Sequence, residues 1–176
     1  MTFEEAPLPG SYVIRLEPVI DERGWFARSF DVDRFHELGF DPSVVQCGVS
    51  TSSLAGTLRG MHYQSTPHAE SKLVRCTRGA IHDVIVDLRP DSPTYCDWFS
   101  LELTPGNATM LYVPQGVAHG FQTLRDETEV HYQFSHRHAP AHARGVRFDD
   151  PAFGIQWPRP ALVVSPRDRS WPDFEA

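Results

Sequence analysis

Short apolar runs, broken at close intervals by proline and glycine, are what most constrain the fold of this chain. Residues 11–16, 57–63, 73–78, 80–88, 98–103, 110–113 and 129–134 are rich in β-branched and aromatic side chains or alternate apolar with polar. Each reads as a strand, because successive side chains of a strand point to opposite faces. Residues 31–39 alone read as a helix, with Asp31 as a plausible N-cap and Gly39 as the stop. So many strands must hide their edges, and this predicts an all-β sandwich or closed barrel. No internal repeat, linker or low-complexity tract interrupts the pattern, so a single domain is expected over 1–176.

Hydrophobic residues make up 40% of the chain and charged residues 22%, ordinary values for a globular domain with a core. No apolar run approaches the roughly 20 residues needed to cross a bilayer. The first five residues, Met1 to Glu5, are acidic and carry no basic leader pattern. Cys47, Cys76 and Cys96 are odd in number and far apart, which suits reduced thiols in a cytoplasmic protein and fits no zinc spacing. A net charge of -7 argues against nucleic acid as a partner. An anionic small molecule remains compatible, because Arg23, Arg59, Lys72, Arg75 and Arg78 can focus positive potential inside a cleft.

Lys72 is the only lysine among 16 basic residues. A compact ammonium and a planar guanidinium are not equivalent, so Lys72 either serves chemistry or is a surface residue left by composition bias. In the strand at 80–88, Ile81, Asp83, Ile85 and Asp87 share one face. Asp83 therefore lies either on a solvent-facing edge or inside a polar pocket. Of the nine histidines, His36, His136, His138 and His142 read as solvated, and His68, His82 and His131 as structural. Pro-Gln-Gly-Val-Ala-His-Gly at 114–120 has the spacing of the second cupin motif. The first such motif should offer two histidines one residue apart; here it reads His62-Tyr63-Gln64, with His68 and Glu70 beyond. That donor set does not make a closed metal site, so a cupin barrel without a metal is expected.

Taken in order, the landmarks at 21–26, 58–64, 72–75, 83–89, 92–95, 114–121, 149–151, 154–158 and 165–168 resemble the dTDP-4-dehydrorhamnose 3,5-epimerase family. The resemblance implies a cupin or double-stranded β-helix (jelly-roll) barrel with a few short helices and no cofactor. It further implies a nucleotide-diphosphate sugar as substrate and a homodimer whose N-terminal strands pair with the partner's sheet. Epimerisation beside a ketone needs a base and an acid on opposite faces of the sugar, with the enolate oxygen stabilised between them. By resemblance His62 is the base, Asp168 its partner, Tyr132 the acid and Lys72 the charge beside the C4 oxygen. Arg23, Arg59 and Arg167 would grip the pyrophosphate, while Phe26, Gln46 and His119 would complete the substrate pocket. Arg28, the Cys47-Gly48-Val49 run and Ala143 depart from the family pattern on what the resemblance implies is the binding side. Three other readings compete: a 3,4-ketoisomerase, a metal-dependent cupin oxygenase or isomerase using His62, Glu70 and His119, and a non-catalytic sugar-nucleotide binder.

Overall fold

The computed structural model describes residues 1–175. The chain enters through β1 (Thr2–Glu5) and β2 (Tyr12–Arg15), then forms a projecting hairpin from β3 (Val19–Asp21) and β4 (Gly24–Phe26). Helix α1 (Val32–Glu37) follows, then β5 (Gln46–Ser52), β6 (Thr57–Gln64), β7 (Lys72–Arg78), β8 (Ile81–Asp87) and β9 (Trp98–Leu103). The second half supplies β10 (Thr109–Val113), β11 (Val117–Thr123), β12 (Thr128–Phe134), β13 (Ala143–Gly145), β14 (Val163–Val164) and helix α2 (Pro166–Arg169).

Two sheets face each other. One runs β1-β2-β10-β7-β12-β5; the other runs β13-β6-β11-β8-β9, with β14 lying parallel to β6. All other neighbouring pairs are antiparallel. The first and second sheets share an apolar layer of Val74, Ile81, Ile85, Leu111, Phe121 and Val130 among others. Outside the first sheet, α1 and its flanks bring Phe35 and Phe40 onto Leu73, Met110 and Tyr112. Outside the second sheet, Phe153, Ile155 and Trp157 of the C-terminal segment cover Val84, Val86 and Ala118. Asp83 is fully buried with its face turned to the inner layer, which decides its placement for the polar pocket.

Every strand expected from sequence is present, with its ends within one residue of the expectation. The helix expected at 31–39 forms over Val32–Glu37, where the Asp31 carboxylate accepts from the Asp33 and Arg34 amides. Such a cap is worth about 1 kcal/mol. Gly39 closes it at φ +74°, a conformation that disfavours any side chain with a Cβ. Among the described residues no helix is long and apolar enough to cross a membrane.

Candidate active site

A cavity of about 740 Å³ lies between the sheets, reached by side chains from both. His62 stands on β6, where Gly60 and Gly120 bring the backbones of β6 and β11 unusually close. A Cβ at position 60 would sit 2.5 Å from the Gly120 Cα. Gly60 is at φ +137°, and the register with β11 shifts between His119 and Phe121. That local break turns the Gly60 amide toward Asp168 Oδ2, 3.4 Å away.

Asp168 reaches the cavity by a separate route. The β14 strand docks Val163 and Val164 beside Thr57 and Leu58, and α2 begins directly after it. Ser165 caps α2 by accepting the Asp168 amide, with Pro166 as the first helical residue. The Asp168 carboxylate then meets His62 Nε2 at 2.6 Å. Burial pushes its pKa up, but the hydrogen bond and charge of His62, with the Gly60 amide and the Ser165 side chain, outweigh burial and leave it below the ordinary value. A carboxylate at this position makes Nε2 the donor and leaves Nδ1 free to take a proton. The His62 side chain is 41% exposed while that of Asp168 is 5% exposed, so the imidazole is open to the cavity and its carboxylate partner is sheltered.

Lys72 begins β7 in the opposite sheet. Its ammonium donates to the His62 carbonyl oxygen at 2.9 Å and lies 3.5 Å from the Glu70 carboxylate. Burial pulls its pKa down, and Glu70 and Asp83 act against that pull without cancelling it. This burial decides against the reading of Lys72 as a surface residue. His119 is the cross-strand partner of His62 and holds Asp83 Oδ1 at 2.8 Å through Nε2. Tyr132, on β12, lies parallel to Phe134 and edge-on to His119, and its hydroxyl meets Ser50 Oγ at 3.2 Å. Burial, opposed by the Ser50 hydrogen bond, drives the phenol far above its ordinary pKa, so it is a neutral O–H at neutral pH. Arg59, Arg144 and Arg167 border the same space. Arg59 is steadied by Ser52 Oγ at 3.2 Å and the Thr51 carbonyl at 2.8 Å. The guanidinium of Arg167 stacks 5.3 Å over the Trp171 ring.

The family model for dTDP-4-dehydrorhamnose 3,5-epimerase matches residues 5–176. The chain belongs to that family. The epimerase of Sinorhizobium fredii is 43% identical over 175 residues, covering 99% of this chain and 90% of that one. The crystal structure of the Bacillus anthracis enzyme, with TDP and pyrophosphate bound, superposes with a TM-score of 0.94 at 38% identity, covering 98% and 99% of the two chains. The Legionella pneumophila enzyme in complex with dTDP-4-keto-L-rhamnose gives a TM-score of 0.90 at 31% identity and covers 99% of each chain. The expected cupin-type fold and the expected isomerase class are both borne out.

Within one chain, this epimerase gathers His62, Lys72, Tyr132, Asp168, Arg59, His119 and Arg167 around one cavity. It does not bring Arg23 and Phe26 there. Both lie on the exposed β3–β4 hairpin, where Arg23 pairs with Asp21 and Phe26 is 71% exposed. Gln46 contributes indirectly, by accepting the backbone amide of His138 at the cavity rim. Among the departures from the family pattern, only Ala143 lines the cavity; Arg28 pairs with Asp31, and Cys47 and Val49 are exposed.

Gln64, which stands where a metal-binding cupin has its second histidine, commits its amide to the protein. It donates to the His68 and Arg137 carbonyls at 2.9 and 3.2 Å and accepts the Ala139 amide at 2.6 Å. Two histidines expected in solvent are part of a packed group instead. The His68 ring lies 4.4 Å from that of His142 and 5.0 Å from that of His136. Sequence reasoning passed over Ser50, Phe134 and Arg144. It also missed α2, although Ser165-Pro166 is an N-cap followed by an N1 proline and gave a usable signal.

Proposed function

We propose that this epimerase inverts C3 and C5 of a dTDP-linked 4-keto-6-deoxyhexose, without a cofactor, in deoxysugar biosynthesis. The observation that carries the reading is a His–Asp pair on one wall of the barrel and a neutral tyrosine on the facing sheet. His62 Nδ1 takes the proton beside the ketone, and Asp168 stabilises the imidazolium that results. The electron pair moves onto the C4 oxygen, where the Lys72 ammonium meets the growing negative charge. Tyr132 gives a proton to the opposite face of the carbon, completing inversion. Arg59 and Arg167 hold the pyrophosphate, Arg167 being pre-aimed by its stack on Trp171. The TDP and the dTDP-4-keto-L-rhamnose held by relatives, and the match along the whole chain, support the nucleotide-sugar class.

The working unit is a homodimer. Val19, Ile20, Trp25 and Phe26 expose an apolar hairpin that makes sense as a cover for a second copy's cavity. In that arrangement Arg23 and Phe26 complete the neighbour's nucleotide site. The three unpaired cysteines support a reducing, cytoplasmic setting. The reading is tested by incubating the protein with dTDP-4-keto-6-deoxyglucose and following ring-proton couplings by NMR. The expected product is inverted at C3 and C5. Movement of the carbonyl to C3 would overturn it in favour of a ketoisomerase.

A further inference from the structure

Glu70 is a buried carboxylate inside the cavity to which the proposed chemistry assigns nothing. Its side chain is 9% exposed, and it borders the same space as His62, Lys72 and Tyr132. Glu70 stands two residues before Lys72, the first residue of β7. They form an ion pair at 3.5 Å, and among the described residues no other cation pairs with Glu70.

Lys72 needs such a partner. Its ammonium is buried, and burial favours the neutral amine, which has no charge to offer an enolate. The groups facing it are few. From β6 come the His62 carbonyl, which orients the ammonium, and the His62–Asp168 pair. From β12 comes Tyr132, a neutral phenol, and from β11 comes His119. From β8 comes Asp83, which His119 already holds at 2.8 Å. Asp83 keeps Oδ2 without a partner and adds to the field at Lys72, but Glu70 is the carboxylate that pairs with the ammonium directly.

We propose that Glu70 is a positioning residue, keeping the Lys72 ammonium charged and aimed into the cavity at the pH where the enzyme works. This rests on the role given to Lys72 above. A carboxylate that neutralises the resting ammonium also leaves the empty cavity without a buried net charge at this point. When the enolate forms, the ammonium is then shared between two anions and stays protonated.

The experiment uses the fact that Lys72 is the only lysine. Labelling with lysine enriched at Cε and Nζ gives a single side-chain signal, whose pH titration reads this group without reference to activity. In Glu70→Gln the titration midpoint is expected to fall by about 1 unit or more. Glu70→Asp, which keeps the charge on a shorter arm, should fall between. The alkaline limb of kcat should move down by the same amount as the midpoint, with KM little changed. An unchanged midpoint in Glu70→Gln overturns the proposal. A midpoint that falls while the alkaline limb of kcat stays in place supports the pairing, and overturns instead the placing of the Lys72 charge at the reaction centre.

Discussion

At residue scale, the ammonium of Lys72 occupies a point that a guanidinium cannot share. Its bond to the His62 carbonyl is 2.9 Å and its ion pair with Glu70 is 3.5 Å, so the group is bracketed on two sides. Arginine is larger, planar and forked, and it carries its charge further from the backbone. Lys72→Arg is therefore expected to lose about 100-fold or more in kcat, the size of a missing electrostatic donor of about 3 kcal/mol. Steady-state kinetics on the folded variant check this, and a native kcat would reduce Lys72 to a binding charge. The lone lysine and the His62 motif were legible in the sequence because each is locally unusual. The partner of His62 was not legible from the residues themselves. Asp168 lies 106 residues away and arrives by the docking of β14 on β6, so only the resemblance pointed to it. Asp83 was legible as one of two alternatives, since strand alternation fixes a face and not what covers it.

Among the elements, those strands whose composition announces them were legible, and those held by neighbours were not. The β5 strand is Gln-Cys-Gly-Val-Ser-Thr-Ser, polar on its inner face, where Ser50 lines the cavity and Ser52 is buried, and interrupted by Gly48, and it exists because β12 pairs along its whole length. In β11, Gly120 breaks the apolar run at the point where β6 must come close, so the residue that hides the strand is one the site requires. The β3–β4 hairpin is exposed on all its residues and has no core face from which to read a pattern. The turn after β8 shows how one buried carboxylate can fix an element. Asp87 accepts from Arg89 Nε at 2.8 Å and Nη2 at 2.7 Å, and from the hydroxyls of Ser92 and Thr94. Burial pushes its pKa up, but these donors overcome burial and bring it down to about 2. A depressed carboxylate stabilises the fold fully above its ordinary value near 3.8 and loses that contribution as pH falls through about 2. Asp87→Asn is accordingly expected to cost about 2 kcal/mol or more at pH 7, leaving Arg89 without its counter-charge. The difference from the native chain should shrink below pH 4. Urea titrations at the two pH values measure it, and a pH-independent difference would contradict the assignment.

For the whole molecule, the two sheets separate tasks that must not occur on one side of a sugar. His62 stands on β6 and Tyr132 on β12, in different sheets, with Lys72 joining them through the His62 carbonyl. In the proposed mechanism the barrel is thus the device that places a base and an acid on opposed faces. In the proposed dimer the hairpin would extend the same logic beyond one chain, because Arg23 and Phe26 stand outside the cavity of their own chain. Light scattering is expected to give the mass of two chains at micromolar concentration, and an active monomer there would contradict the shared site. The most direct test of the chemistry is solvent deuterium incorporation into the 4-keto sugar, located by NMR, for the native chain, Tyr132→Phe and His62→Ala. Native protein should place deuterium at both inverted carbons. Tyr132→Phe should let deuterium into the starting sugar without inversion, since His62 still removes the proton. His62→Ala should show neither exchange nor inversion while still binding the substrate. Exchange at the native rate in His62→Ala would contradict the His–Asp base on which the mechanism depends.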